Sequence, residues 1–205
     1  MFLIAYVGTA ILITLFVMGV AAKLAKEKGK NPVKWAGLSF AALFVLVAWD
    51  YYPSRWAHQY YCEKEAGFWV YKTLEQWKAE NPGVMETLVA NKGALSIRDG
   101  DMVNHTDTYS LNQRFNWVVA WHDAISLRLL PIRRIEQIVI DTKTNGVLAR
   151  YVDFAVGYGN PLVVNLDGLR GLKFWLHSEH CSGGEINDSK LAHFFMAAKN
   201  LNEGS

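Results

Sequence analysis

The chain lacks the local signatures through which most cofactors are held. It has no G-x-x-x-x-G-K-[ST] loop to cradle nucleotide phosphates, no G-x-G-x-x-G turn for a dinucleotide and no C-x-x-C-H for covalent haem. A G-x-S-x-G elbow and an H-E-x-x-H zinc motif are missing too, so the usual serine-hydrolase and metalloprotease readings have no anchor. No cofactor and no metal are expected from these patterns. Cysteine is scarce, two in 205 residues, which excludes a disulfide-dense scaffold and a four-cysteine zinc site. Charged residues make up only 20% while 51% are hydrophobic, and that balance excludes a disordered chain.

Charge is missing altogether from Phe2 to Ala22, a run of Leu, Ile, Val, Ala and Phe. At 1.5 Å per residue, 21 residues of helix cover about 30 Å, the thickness of a bilayer core. A second uncharged run, Trp35 to Trp49, is followed by Tyr51 and Tyr52. These two runs predict a transmembrane hairpin in residues 1–54, with spans near 2–22 and 35–52. Trp35, Trp49, Tyr51, Tyr52 and Trp56 suit the membrane–water interface, where an amphipathic ring meets headgroups. A cleaved signal peptide competes for the first run, but the run is long for one and has no basic segment before it.

The loop 23–34 carries Lys23, Lys26, Lys28, Lys30 and Lys34. Positive loops stay in the cytoplasm, so the N-terminus and everything from Arg55 onward are expected on the periplasmic or extracellular side of an inner or plasma membrane. This placement also accounts for the charge. Met1 to Ser54 holds five lysines against two acids, net +3, and the remaining 16 basic and 17 acidic residues net −1, recovering the overall +2. The larger part therefore has no basic excess with which to displace counterions from nucleic acid, and nucleic acid is not an expected partner.

Residues 55–205 have the length of one domain. Gly67 to Lys72 reads as a strand, and Thr73 with Gln76 has capping-box spacing for a helix that Asn81-Pro82-Gly83 ends. Gly93 to Asn112 reads as a polar, turn-rich stretch, and Arg114 to His122 suits strand or helix. Arg133 to Asp141 and Val147 to Tyr158 are the clearest strands, joined by a hairpin at Asn145-Gly146. Arg150 interrupts an apolar face on the second of these. Leu169, Leu172 and Leu176 have helical spacing, and a last helix is expected from Asp188, as its N-cap, to Lys199. The expected fold class is α+β, an antiparallel sheet with flanking helices behind a two-helix membrane hairpin.

Cys62 and Cys181 both fall on the oxidising side of this topology, so a disulfide between them is expected. His177, Glu179 and His180 form a ligand-like cluster beside Cys181, and His122-Asp123 is an acid–base neighbour pair. Surface polar residues account for both patterns more simply, because a cysteine in a disulfide supplies no thiolate. Trp117, Trp121 and Trp175 would line the pocket of a small-ligand or lipid sensor. The expected function is non-catalytic: a membrane-anchored interaction or accessory protein whose partners are the lipid bilayer and a membrane or envelope protein. A membrane-anchored metal-dependent or acid–base hydrolase and a ligand sensor are the alternatives.

Overall fold

The computed structural model describes residues 2–93, 96–101, 104–123, 130–157, 176 and 178–200. The chain divides into two compact units, Met1–Arg55 with Gly157–Ser178 and Trp56–Val156 with Glu179–Ser205.

In the first unit, α1 (Phe2–Glu27) and α2 (Pro32–Ala48) pack against each other. The turn between them passes through Gly29 at φ 66°, and Asn31 then caps α2 by accepting from the Val33 and Lys34 N–H groups. Pro32 opens the helix, where its missing N–H costs nothing. Both helical stretches, from Gly8 and from Pro32, are long and apolar enough to cross a membrane. Leu12, Phe16, Phe44 and Leu46 point outward from them, an apolar exposure that water penalises and hydrocarbon does not. Trp49 keeps helical geometry, and α3 (Tyr51–Lys64) follows directly.

The second unit is built on a seven-stranded antiparallel sheet. Its strands are β1 (Gly67–Val70), β2 (Ser96–Gly100), β3 (His105–Ser110), β4 (Phe115–Asp123), β5 (Ile132–Asp141), β6 (Gly146–Val156) and β7 (Glu179–His180). The order is β1-β6-β5-β4-β3-β2, and β7 pairs with the end of β6 beyond β1. Two further helices are α4 (Leu74–Glu80) and α5 (Gly184–Lys199). Strand alternation sends Phe115, Val139, Ala149 and Tyr151 into a core shared with Trp77, Leu191 and Ala198. Ile132, Val152, Phe154 and Val156 form a second core with Ala57, Tyr61 and Cys62 of α3. A register shift between Val139 and Ile140 lets both Leu148 and Ala149 enter the first core.

The expected α+β class and the strongest local signals are present. Thr73 and Gln76 close a reciprocal capping box on α4, and Asn145 takes φ 55° in the β5–β6 hairpin. Arg150, the charge on an apolar face, donates to Glu136 at 2.7 Å, and Glu136 also meets Arg134 at 3.0 Å. Two expectations need correction. The stretch 93–112 contains the paired strands β2 and β3, polar because β2 is an exposed sheet edge. The last helix begins at Gly184, four residues before Asp188, with Gly183 rather than a carboxylate as its N-cap. Its first turn is fixed by tertiary contact: the Tyr151 hydroxyl donates to the Gly184 carbonyl, while Asp188 is left to accept from Gln137. The helical spacing expected around Leu169 and Leu172 lies outside the described residues.

The ends of β4 and β5 are tied to α4 by a buried ion pair. Arg114 donates twice to the Asp141 carboxylate, at 2.6 and 3.0 Å, and the Trp77 indole N–H adds a third bond at 2.8 Å. The guanidinium also lies 5.1 Å from the Trp77 ring centre. Burial works against the Asp141 charge, yet the bonds from Arg114, Trp77 and the Lys143 N–H outweigh it and hold this carboxyl down at about 2. The group thus stabilises the fold fully above its ordinary value of 3.8, and that contribution is lost as pH falls through about 2. Asp141→Asn leaves the Arg114 charge buried and unneutralised, at an expected cost of about 3–5 kcal/mol. Chemical denaturation followed by circular dichroism should show that loss at pH 7 and a smaller gap between variant and wild type near pH 2.

Candidate functional site

Reactive groups gather where β6, β7, α3 and the start of α5 meet. Cys62, in the last turn of α3, is bonded to Cys181, three residues before α5, with a Cα–Cα distance of 5.4 Å. This is the expected pair. One helical turn before Cys62 stands His58, buried against β6. Its Nε2 lies 2.9 Å from the Phe154 carbonyl oxygen and 3.4 Å from Cys62 Sγ. A carbonyl only accepts, so Nε2 carries the proton and that N–H also faces the sulfur. The Cys181 sulfur sits 3.6 Å from the same carbonyl. His58, Cys62 and Cys181 place one nitrogen and two sulfurs within 4.8 Å of one another. While the sulfurs are joined, neither is a thiolate, and the protonated Nε2 has no lone pair to give a metal.

On the other side of β6, Asp153 is buried and accepts from both neighbours of the β7 end. Its Oδ2 is 2.6 Å from His180 Nδ1, and its Oδ1 takes the Cys181 N–H at 3.3 Å. The carboxylate therefore orients the imidazole and fixes the backbone next to the disulfide at once. His180, Cys181, Ser182, Gly183, Gly184, Glu185 and Ile186 line an open cavity of about 430 Å³. Burial, with Asp153 and Asp188 nearby, pushes the Tyr151 hydroxyl well above its usual value, so it stays protonated and bonded to Gly184.

The polar residues singled out from sequence occupy different places. Asp123, Arg133, Ala155 and His180 form one row across β4, β5, β6 and β7. Three strand spacings separate the ends of that row, about 14 Å. His122 and Glu179 alternate to the opposite face from their neighbours Asp123 and His180, and His177 lies outside the described residues. The partner that does meet His180 is Asp153, a lone acid inside the apolar run Val152-Asp153-Phe154. Such a residue signals a buried partner, although its distance in sequence hides which one. Trp117 is packed between Tyr109 and Phe195, Trp121 lies along His105, and Trp175 is outside the described residues.

The aromatic residues after α2 separate into two sets. Tyr61 stacks on Phe154 with ring centres 5.1 Å apart, fastening α3 to the sheet. Tyr52, Trp56 and Tyr60 stand at four-residue spacing on the outer side and are 79%, 74% and 51% exposed. Compared with protein-family models, curated proteins and solved structures, the chain matches none of them.

The disulfide closes a loop with a sequence separation of 119. Replacing both cysteines by alanine should lower the stability of the sheet domain by about 2–5 kcal/mol. Denaturation curves of the full chain in detergent, with and without the pair, measure it. Equal midpoints would refute the estimate.

Proposed function

We propose that this chain is a membrane-anchored extracytoplasmic accessory protein that acts without catalysis by holding a membrane or envelope protein partner. In this reading α1 and α2 cross an inner or plasma membrane, and the lysines between them stay in the cytoplasm. The sheet domain then lies in the periplasm or outside the cell, a compartment in which a disulfide persists.

The observation that carries the reading is the two-sided character of α3. Its inner side is held by the disulfide and the Tyr61–Phe154 stack, while Tyr52, Trp56 and Tyr60 stand exposed on its outer side. Large aromatic side chains lose little conformational entropy on contact and bury much area, which suits a binding surface or a headgroup layer. Their position directly after a membrane-length helix fits a partner that is itself in or on the membrane.

A photo-crosslinking residue at Trp56, activated in intact membranes, should give one discrete protein adduct identifiable by mass spectrometry. Adducts with lipid alone would overturn the partner. In the same cells, a protease added outside the membrane should cut the sheet domain and spare the loop 23–34, and the reverse pattern would overturn the orientation.

A second reading, an acid–base hydrolase, rests on the Asp153–His180 pair beside its open cavity. Turnover of ester or phosphoester probes by the wild type and not by His180→Gln would favour it.

A further inference from the structure

A disulfide that only braces a fold is best surrounded by groups indifferent to sulfur chemistry. The Cys62–Cys181 bond is placed otherwise. On one side His58 holds an N–H 3.4 Å from Cys62 Sγ, and the Phe154 carbonyl keeps that proton on Nε2. On the other side Cys181 is part of the wall of the open cavity that runs past Ser182 to Ile186. Thiol–disulfide exchange needs two things of its target: a path to one sulfur and a means of stabilising the other as it leaves as thiolate. Cys181 borders the cavity and Cys62 borders the donor, one residue for each requirement.

We propose that Cys62–Cys181 is an exchange site for a dithiol, entered at Cys181 through the cavity, with Cys62 as the leaving sulfur. The incoming thiolate bonds to Cys181 Sγ, and the electron pair of the S–S bond passes to Cys62, whose negative charge is met by the His58 N–H. The second thiol of the same reagent, as thiolate, then displaces Cys181. The reagent is oxidised to its disulfide, the chain is reduced to two thiols, and the two protons come from the reagent's own thiol groups. The natural reactant is a dithiol carried by another extracytoplasmic protein, and the reverse reaction closes the bond again. His58 acts on the leaving group through a hydrogen bond already present in the folded chain.

The experiment uses the full chain in detergent with dithiothreitol as the dithiol, and free thiols are scored over time by a mass-adding maleimide. Without denaturant the wild type should be reduced in a single phase. His58→Phe, which keeps an aromatic ring and removes the N–H, should be slowed about tenfold, the worth of a hydrogen bond to a charged group. His58→Gln retains an N–H donor and should recover most of the rate. Ser182→Trp, at an exposed position on the cavity wall, should also be slowed. In denaturant all four proteins should react alike. Any loss of folding stability in a variant opens the chain and speeds reduction, so slowing cannot come from misfolding. Wild-type reduction that requires denaturant would overturn the exchange site. A His58→Phe rate equal to or above wild type at an unchanged denaturation midpoint, or a His58→Gln slowed as much as His58→Phe, would overturn the role of His58, and an unchanged Ser182→Trp rate would overturn entry at Cys181.

Discussion

The Arg114–Asp141 pair is the constraint around which the sheet domain is arranged. A carboxylate buried this deeply must find its bonds inside the protein, and it takes them from three separate elements: Arg114 before β4, Trp77 of α4 and the Lys143 N–H after β5. Meeting that demand fixes α4 over the sheet and sets the relative position of β4 and β5. The link continues through Asn112, whose carbonyl oxygen accepts from the Arg114 and Phe115 N–H groups while its amide donates to the Ala198 carbonyl of α5. Two helices and two strands are thereby held by one connected set of polar bonds, and the apolar core forms inside that frame.

The opposite end of the domain is organised by α3. One side of this helix belongs to the second core, and its residues Tyr61 and Cys62 contribute a ring stack and a covalent bond. The same helix brings His58 to the sulfur and presents Tyr52, Trp56 and Tyr60 outward. Fastening and exposed surface are thus properties of two sides of one 14-residue helix.

Where local chemistry decides structure, the sequence was readable. Asn145-Gly146 specifies its turn through left-handed backbone, and Thr73 with Gln76 specifies a helix start through two reciprocal bonds. Two cysteines admit a single pairing, so that bond followed from their count. Helix α3 opens with Pro53 in its first turn, where the missing N–H has no intrahelical partner to lose. Strands β2 and β3 were hidden by their polarity, which in β2 belongs to an edge with little to bury and in β3 includes the buried Asp107 paired with Arg98. The candidate site was legible only in part. His58 stands at helical spacing from Cys62, but that spacing has meaning only once the segment is known to be helical. Asp153 and His180 are 27 residues apart, and no periodicity connects them.

The placement of the disulfide has a mechanical consequence. All of β1 to β6 lies within the loop that Cys62 and Cys181 close, while α1, α2 and α5 lie outside it. A pull between the N-terminal helices and the C-terminal helix therefore travels along α3, across the sulfur–sulfur bond and into α5. The strands carry none of that load along their backbone, so tension applied through the N-terminal helices strains one covalent bond before it can unzip a single hydrogen-bonded ladder.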